Sequence, residues 1–348
     1  MKKIVSLLVI FVLVIEVQAQ LPRVIILATG GTIAGAGASA DRAGYTAGKI
    51  PIEDLIGAIP SVKKIATITG EQISSVGSQD MTIDIWKKLA VRINEIVAKK
   101  EADAIVVTHG TDTQEETAYF LDLVVPSQMP VVLTGSMRAS TAISADGPKN
   151  LYDAIVVATN AKSKGRGVLV SFNEGIFDGR EVTKMSTTFT NAFGSPNTGP
   201  IGHAYDGKVE YYANAVREID PKSAVVIKAD TKLPRVDIVY MYADAPPDQI
   251  DFLVSKKVDG IVIAGVGNGN FNKAYMEAVK RAVAAGLVVC RASRTPSGRV
   301  VLHDEINDDE LGTIVSDDLN PQKARILLML GLTKTKDKKQ LQEFFFKY

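Results

Sequence analysis

Cysteine is almost absent: Cys290 is the only one in 348 residues. An internal disulfide is therefore excluded, and the fold must be held by core burial. Cys290 lies in the apolar run 286–290, where a thiol is expected to be a buried structural group. Histidine is scarce too, with three. None has a second histidine at metal-ligand spacing, so no metal site is expected, and no motif calls for a cofactor. Neither sign of charge dominates, with 40 Lys and Arg against 39 Asp and Glu. The segment 1–19 holds Lys2, Lys3 and Glu16, so without it the two signs are equal in number and no electrostatic footprint for nucleic acid remains. Tandem repeats and low-complexity segments are absent. A membrane-spanning run is lacking as well: Ile4 to Ile15 falls short of the roughly 20 apolar residues that a bilayer core requires. Preceded by Lys2 and Lys3, and followed by Val17 and Ala19 at cleavage-site positions, it is expected to be a signal peptide covering 1–19. The mature chain would begin near Gln20 and work in the periplasm or outside the cell, without a membrane anchor.

What is present suits a soluble α/β protein, 46% hydrophobic and 23% charged. Short apolar runs alternate with helix-like segments: Val24–Ala28, Ala104–Thr108, Val131–Thr134, Val168–Phe172, Asp237–Tyr242, Gly260–Ala264 and Leu287–Cys290. Runs of this kind read as strands buried on both faces of mainly parallel sheets. Trp86, Leu89, Ala90, Ile93, Ile96 and Val97 recur at helical spacing and predict a helix over 83–99 with one apolar face. Asn320 followed by Pro321 predicts a capped helix start, the helix packing on a second domain. The pattern turns polar and rich in Gly and Pro from about Thr183 to Tyr212, then weak. The expected organisation is a larger N-terminal α/β domain over 20–212, a linker over 213–234 and a smaller C-terminal α/β domain over 235–348.

In open α/β sheets ligands gather beyond the carboxyl ends of the strands. Two such turns carry hydroxyls among glycines, Ala28-Thr-Gly-Gly-Thr-Ile-Ala34 and Thr108-His-Gly-Thr-Asp-Thr113. Glycines let backbone N–H groups approach a ligand closely, which suits an oxyanion or a carboxylate. Neither loop has the Gly-Lys-Ser/Thr pattern of a mononucleotide site. Taken singly, each is equally well read as tight-turn geometry.

Together, the two loops resemble the paired signature motifs of the bacterial-type L-asparaginases. Gly77-Ser-Gln-Asp80, Ser144-Ala-Asp-Gly-Pro148, Asp178-Gly-Arg-Glu-Val-Thr-Lys184, Gly265-Val-Gly-Asn-Gly-Asn270 and Leu319-Asn-Pro-Gln-Lys-Ala-Arg325 resemble further family motifs, in family order. With the signal peptide, the likeness points to the secreted, type II branch. It implies hydrolysis of the side-chain amide of L-asparagine to L-aspartate and ammonia, with L-glutamine as a further substrate. Thr32 is implied as the nucleophile, Tyr45 as its neighbour on a flap, and Thr111, Asp112 and Lys184 as a second polar cluster. A threonine hydroxyl needs a nearby base or a shared proton network before it attacks an amide. The Thr111 N–H is a candidate oxyanion donor. Asp112, Gln79 and Glu305 would hold the substrate ammonium, Ser78 its carboxylate. Asn270 and Glu305 would reach the site from a neighbouring subunit of a homotetramer built as a dimer of dimers.

Several nearby residues have plainer readings. His109 is expected to be structural and Asp146 a turn former; His203 and His303 have no motif around them. A periplasmic amino-acid binding protein is the alternative from another class; it would need the ammonium and carboxylate anchors but no activated hydroxyl.

Overall fold

The computed structural model describes residues 20–37, 45–125, 128–215 and 225–348. The leader expected over 1–19 and the middle of the expected linker lie outside them. No helix among the described residues is long and apolar enough to cross a membrane.

The first strand, Arg23–Gly30, is buried from Val24 onward. It lies between Thr67–Val76 and Ala104–Thr108, parallel to both. Val131–Thr134 and Val168–Phe172 continue the sheet in parallel. Gly175–Asp178, Gly202–Tyr205 and Lys208–Tyr211 complete its eight strands as an antiparallel edge. Alternation along each buried strand divides the core in two. Ile25, Leu27, Ile105 and Val107 face one cluster, which also holds Leu89 and Ile93 of the helix Ile83–Lys99. Val24, Ile26, Ala28 and Val106 face the other, with Leu151, Ala154 and Ile155 of the helix Gly147–Thr159. Both faces of the sheet are thus covered, which is why the strands read as unbroken apolar runs.

The helix expected over 83–99 forms over those residues. Thr82 caps it by accepting from the Ile85 N–H at 3.3 Å, and Lys100 ends it in the left-handed region. Trp86 leaves the buried face to stack on Phe120 with centroids 5.0 Å apart.

The C-terminal sheet is parallel, in the order Val236–Tyr240, Gly260–Gly265, Val288–Ser293, Ile314–Val315. The helices Asp248–Ser255 and Lys273–Ala284 contribute to the core on one face. The helix Pro321–Gly331 packs on the other and also touches Gln114–Val124 of the first domain. Its start is the predicted one, with the Asn320 side chain accepting from the Lys323 N–H at 3.0 Å. The two domains therefore meet through this buried helix, and also through Arg180, which donates to Asp318 Oδ1 at 2.6 Å and to the Tyr348 carbonyl at 2.9 Å. Val225 to Arg235 enters the second sheet without regular secondary structure, burying Ile227 on the way. Cys290 is fully buried, as expected, and burial pushes its thiol well above the usual range.

Two features differ from the sequence expectation. Thr67–Val76 is a ten-residue edge strand in which no residue is buried, and its Thr, Gly, Glu, Gln and Ser break any apolar run. The stretch from Thr183 to Tyr212 also holds strands, among them a hairpin closed by Asp206 and Gly207 at φ 50° and 70°. Such an Asp-Gly turn matches the twist of short antiparallel strands. Their apolar content is too small to register as a run.

Candidate active site

The register that places Ala28 beside Thr108 sends both threonine loops out of the sheet at the same end. Thr29 Oγ1 donates to the Thr108 carbonyl at 3.0 Å and ties the loops at their base. Beyond it, Gly31 adopts φ 81° and faces Gly110 so closely that a Cβ on Gly31 would fall 2.4 Å from the Gly110 Cα. Only paired glycines permit that approach. Thr32 follows Gly31 and Thr111 follows Gly110, so the two alcohols flank one backbone contact. Both are buried, at 6% and 5% exposure. Thr32 opens a short 3-10 turn, Thr32–Ala34, whose end is fixed by the Gly35 N–H donating to the Thr32 carbonyl at 2.8 Å.

Lys184 completes the second cluster. Its Nζ donates to Thr111 Oγ1 at 2.9 Å and to Asp112 Oδ1 at 2.6 Å. The lysine side chain is 16% exposed and the aspartate 59%, so the pair spans the boundary between protein and solvent. An isolated ion pair so placed contributes little stability. Its effect is geometric, because the carboxylate holds the ammonium on the threonine hydroxyl. A cavity of about 350 Å³ adjoins this side of the cluster, lined by Asp112, Glu115, Lys184, Ser186 and Gln322 among others.

Ser78 lies under the same loops. Its Oγ accepts from the Asp112 N–H at 3.0 Å, and its carbonyl accepts from Thr113 Oγ1 at 2.8 Å. Gln79 is exposed beside it, with Nε2 3.3 Å from Asp80 Oδ2. Asn270 and Glu305 meet each other in the C-terminal domain, Nδ2 donating to Oε2 at 2.5 Å. No hydrogen bond among the described residues joins that pair to Thr111 or Lys184 of the same chain. The backbone of Tyr45 pairs with Gly37 in a two-residue strand. Its expected flap role rests on a side chain and on residues 38–44 outside the described set.

His109 is fully buried. Trp86 Nε1 donates to Thr117 Oγ1 at 2.7 Å, that oxygen is 2.9 Å from His109 Nε2, and Nδ1 is 2.7 Å from the Gly110 carbonyl. One assignment satisfies all three: Nε2 accepts from the threonine, and Nδ1 carries the proton and donates to Gly110. Burial pushes the imidazole down to about 4, so the ring is neutral and serves the loop rather than the reaction. Asp146 accepts from the Met137 and Arg138 N–H groups, both at 2.9 Å, which is turn-forming work. Among the described residues no group of three or more His, Cys, Asp or Glu is placed to hold a metal ion.

Sequence reasoning missed Glu115, and it gave Gln322 no role beyond its place in the 319–325 motif. Glu115 is 4% exposed and joins the Lys184 backbone to the helix Pro321–Gly331. An acid one residue into an otherwise buried helix was the available signal.

Comparison with known proteins gives one consistent result. Residues 23–217 match the family described as "Asparaginase, N-terminal", and residues 235–345 match "Glutaminase/Asparaginase C-terminal domain". A "Probable L-asparaginase periplasmic" from Haemophilus influenzae is 48% identical over 327 residues, covering 94% of this chain and 93% of the relative. A "Glutaminase-asparaginase" from Pseudomonas fluorescens biotype A is 42% identical over 336 residues, covering 96% and 92%. Among solved structures, a "Probable Cytoplasmic L-asparaginase from Campylobacter jejuni" superposes with a TM-score of 0.90 at 45% identity, covering 94% of this chain and all of that one.

Proposed function

The chain belongs to the asparaginase family, both of whose domains it carries, and from that premise we propose that it hydrolyses the side-chain amide of L-asparagine to L-aspartate and ammonia. The observation that carries the reading is Lys184 Nζ on Thr111 Oγ1 at 2.9 Å, beside a glycine contact that Thr32 directly follows in the chain. A binding protein has no use for a lysine trained on a buried hydroxyl.

In this account Thr32 Oγ attacks the amide carbon and its proton passes to the leaving nitrogen, giving ammonia and an aspartyl ester on Thr32. Water then cleaves the ester and returns the proton to the threonine. Thr111 and Lys184 form the proton network at the second hydroxyl, with Asp112 orienting the lysine. Among the described residues the Thr111 N–H has no acceptor, which leaves it available to the oxyanion that develops during attack. Ser78 Oγ already accepts from Asp112, so its hydroxyl hydrogen is available to the substrate carboxylate. Asp112 and Gln79 face the substrate ammonium, Asp112 through Oδ2. Asn270 and Glu305 complete the site of a neighbouring subunit in a homotetramer, and Tyr45 is assigned as the partner of Thr32. The segment 1–19 directs export to the periplasm. Glutamine is a secondary substrate, since one extra methylene shifts discrimination by only about 1–3 kcal/mol. The name of the Pseudomonas relative supports that extension.

Ammonia release from asparagine and glutamine tests the proposal, using the purified chain beside Thr32→Ala and Thr111→Val. Both variants are expected to fold and to lose nearly all turnover. Wild-type rates in either remove the role assigned to that threonine.

A further inference from the structure

Lys184 lies in a strand of two residues, Thr183–Lys184, paired among the described residues only with Phe193–Gly194. So short a ladder is marginal by itself and does not fix a lysine nitrogen within reach of a hydroxyl. The segment is held instead by the start of the helix Pro321–Gly331, from the other domain. Lys323, 2% exposed, donates from Nζ to the carbonyls of Arg180 and Val182, each at 2.5 Å. Gln322 Nε2 donates to Glu115 Oε1 at 2.5 Å, and Asn320 Nδ2 reaches the same oxygen at 3.2 Å and Thr183 Oγ1 at 3.3 Å. The second oxygen of Glu115 accepts from the Lys184 N–H at 2.5 Å.

The choice of groups is informative. Burying an ammonium costs several kcal/mol unless it is fully hydrogen-bonded, and an apolar side chain would pack there without that penalty. Burial lowers the Lys323 ammonium to about 8, with the charges of Glu115 and Glu181 working in the opposite direction. Glu115 is met by donors on both oxygens, so an acceptor at each is required. Neither group touches the places assigned to substrate. What they do touch is the backbone of Lys184 and of the residues just before it.

We propose that Lys323, Gln322 and Glu115 are positioning residues, through which the C-terminal domain sets Lys184 against Thr111 in its own chain. The inference rests on the catalytic role given to Lys184 above. It assigns the second domain a task within the chain, separate from what Asn270 and Glu305 would do for a neighbour.

Exchanging the two bridge groups in the full-length chain tests it. Glu115→Gln sets an amide N–H₂ against either the Lys184 N–H or the Gln322 amide, donor against donor. Gln322→Glu sets two carboxylates together. In the double exchange the new amide accepts from the Lys184 N–H and donates to the carboxylate now at position 322, restoring the bridge with its direction reversed, while Asn320 Nδ2 keeps Thr183 Oγ1 as its acceptor. Each single exchange is expected to lower kcat for asparagine by about tenfold or more, with KM within about twofold. The double exchange is expected to return kcat to within about threefold of wild type, the signature of direct coupling. Gln322→Leu removes one donor without adding charge and should lower kcat in the same direction, so the test survives if a single exchange fails to fold. Wild-type kcat in Gln322→Leu and in the folded singles overturns the proposal, as does a double no better than the worse single. Lys184→Met, assayed alongside, separates the two layers. If it is inactive while the bridge variants are silent, only the positioning role fails; if it turns over normally, the role of Lys184 fails and the inference goes with it.

Discussion

Gly31 meets Gly110 at a distance that excludes a side chain: a Cβ on the first would sit 2.4 Å from the Cα of the second. This contact, together with the Thr29 Oγ1 hydrogen bond to the Thr108 carbonyl at their base, brings the two threonine loops together. Because Gly31 also adopts φ 81°, Gly31→Ala carries both strain and collision. It is expected to lose more than about 1 kcal/mol of stability and, once the loops separate, about 100-fold or more in kcat/KM. Gly57→Ala is the matched control, since a Cβ there meets nothing within 4 Å. Denaturant titration and an ammonia assay compare the two, and equal behaviour would remove the contact from the account.

His109 gives a pH dependence whose sign is fixed by its burial. Its folded-state value lies at about 4, below the ordinary 6.5, so between those values the unfolded chain binds the extra proton. Stability should therefore fall as pH drops from 6.5 to 4, by roughly 3 kcal/mol for this group alone. Above 6.5 the ring is neutral in both states and contributes no slope. Urea unfolding of wild type and His109→Gln at several pH values measures the difference; equal slopes in that window would contradict the burial argument.

Arg291 and Asp308 form a buried pair, both 1% exposed at the side chain, with Nε 2.6 Å from Oδ1. The guanidinium also donates to the carbonyls of Asn268 at 3.0 Å and Val301 at 3.1 Å, thereby bracing the loops that carry Asn270 and Glu305. Burial works against the Asp308 charge, but Arg291, Thr313 and the His303 N–H hold its carboxyl below the usual range. That contribution is fully present above the ordinary carboxylate value and is lost as pH falls from there through the lower folded-state value. Arg291→Leu strands the carboxylate and should cost about 3–5 kcal/mol. Thermal or chemical unfolding measures it, and a loss under about 1 kcal/mol would be inconsistent with one charge left alone in the core.

Much of this architecture was legible in advance, for identifiable reasons. Strands covered on both faces leave apolar runs, and Val24–Ala28 and Ala104–Thr108 did so. Trp86 through Ile96 left a helical stripe, and Asn320-Pro321 left a cap. What escaped lies where neighbours in space replace neighbours in sequence. Thr67–Val76 is an edge strand whose exposed residues carry no pattern. Of the site, Thr32, Ser78, Thr111, Asp112 and Lys184 stand in motifs. Gln322 stands in the 319–325 motif, but its partner Glu115 lies 207 positions away, and no local pattern signals that pairing.

The neighbouring-subunit reading of Asn270 and Glu305 predicts complementation. Thr32→Ala and Glu305→Ala should each be inactive as pure assemblies. Dissociated and reassembled together, they should regain activity, because some sites then combine an intact Thr32 with an intact Glu305 from different chains. Gel filtration with an ammonia assay on the hybrid peak checks this. No recovery in a proven hybrid would place Glu305 in its own chain's site or outside the chemistry.

The most direct test follows the carbonyl carbon itself. Lys184→Met should slow release of the aspartyl group more than its formation, so rapid acid quenching during turnover of L-asparagine should trap an ester. Peptide mass spectrometry is expected to find one aspartyl group on the peptide containing Thr32 and none on that containing Thr111. An adduct on Thr111, or ammonia release equal to the enzyme concentration with Thr32 unmodified, would contradict attack by the Thr32 hydroxyl.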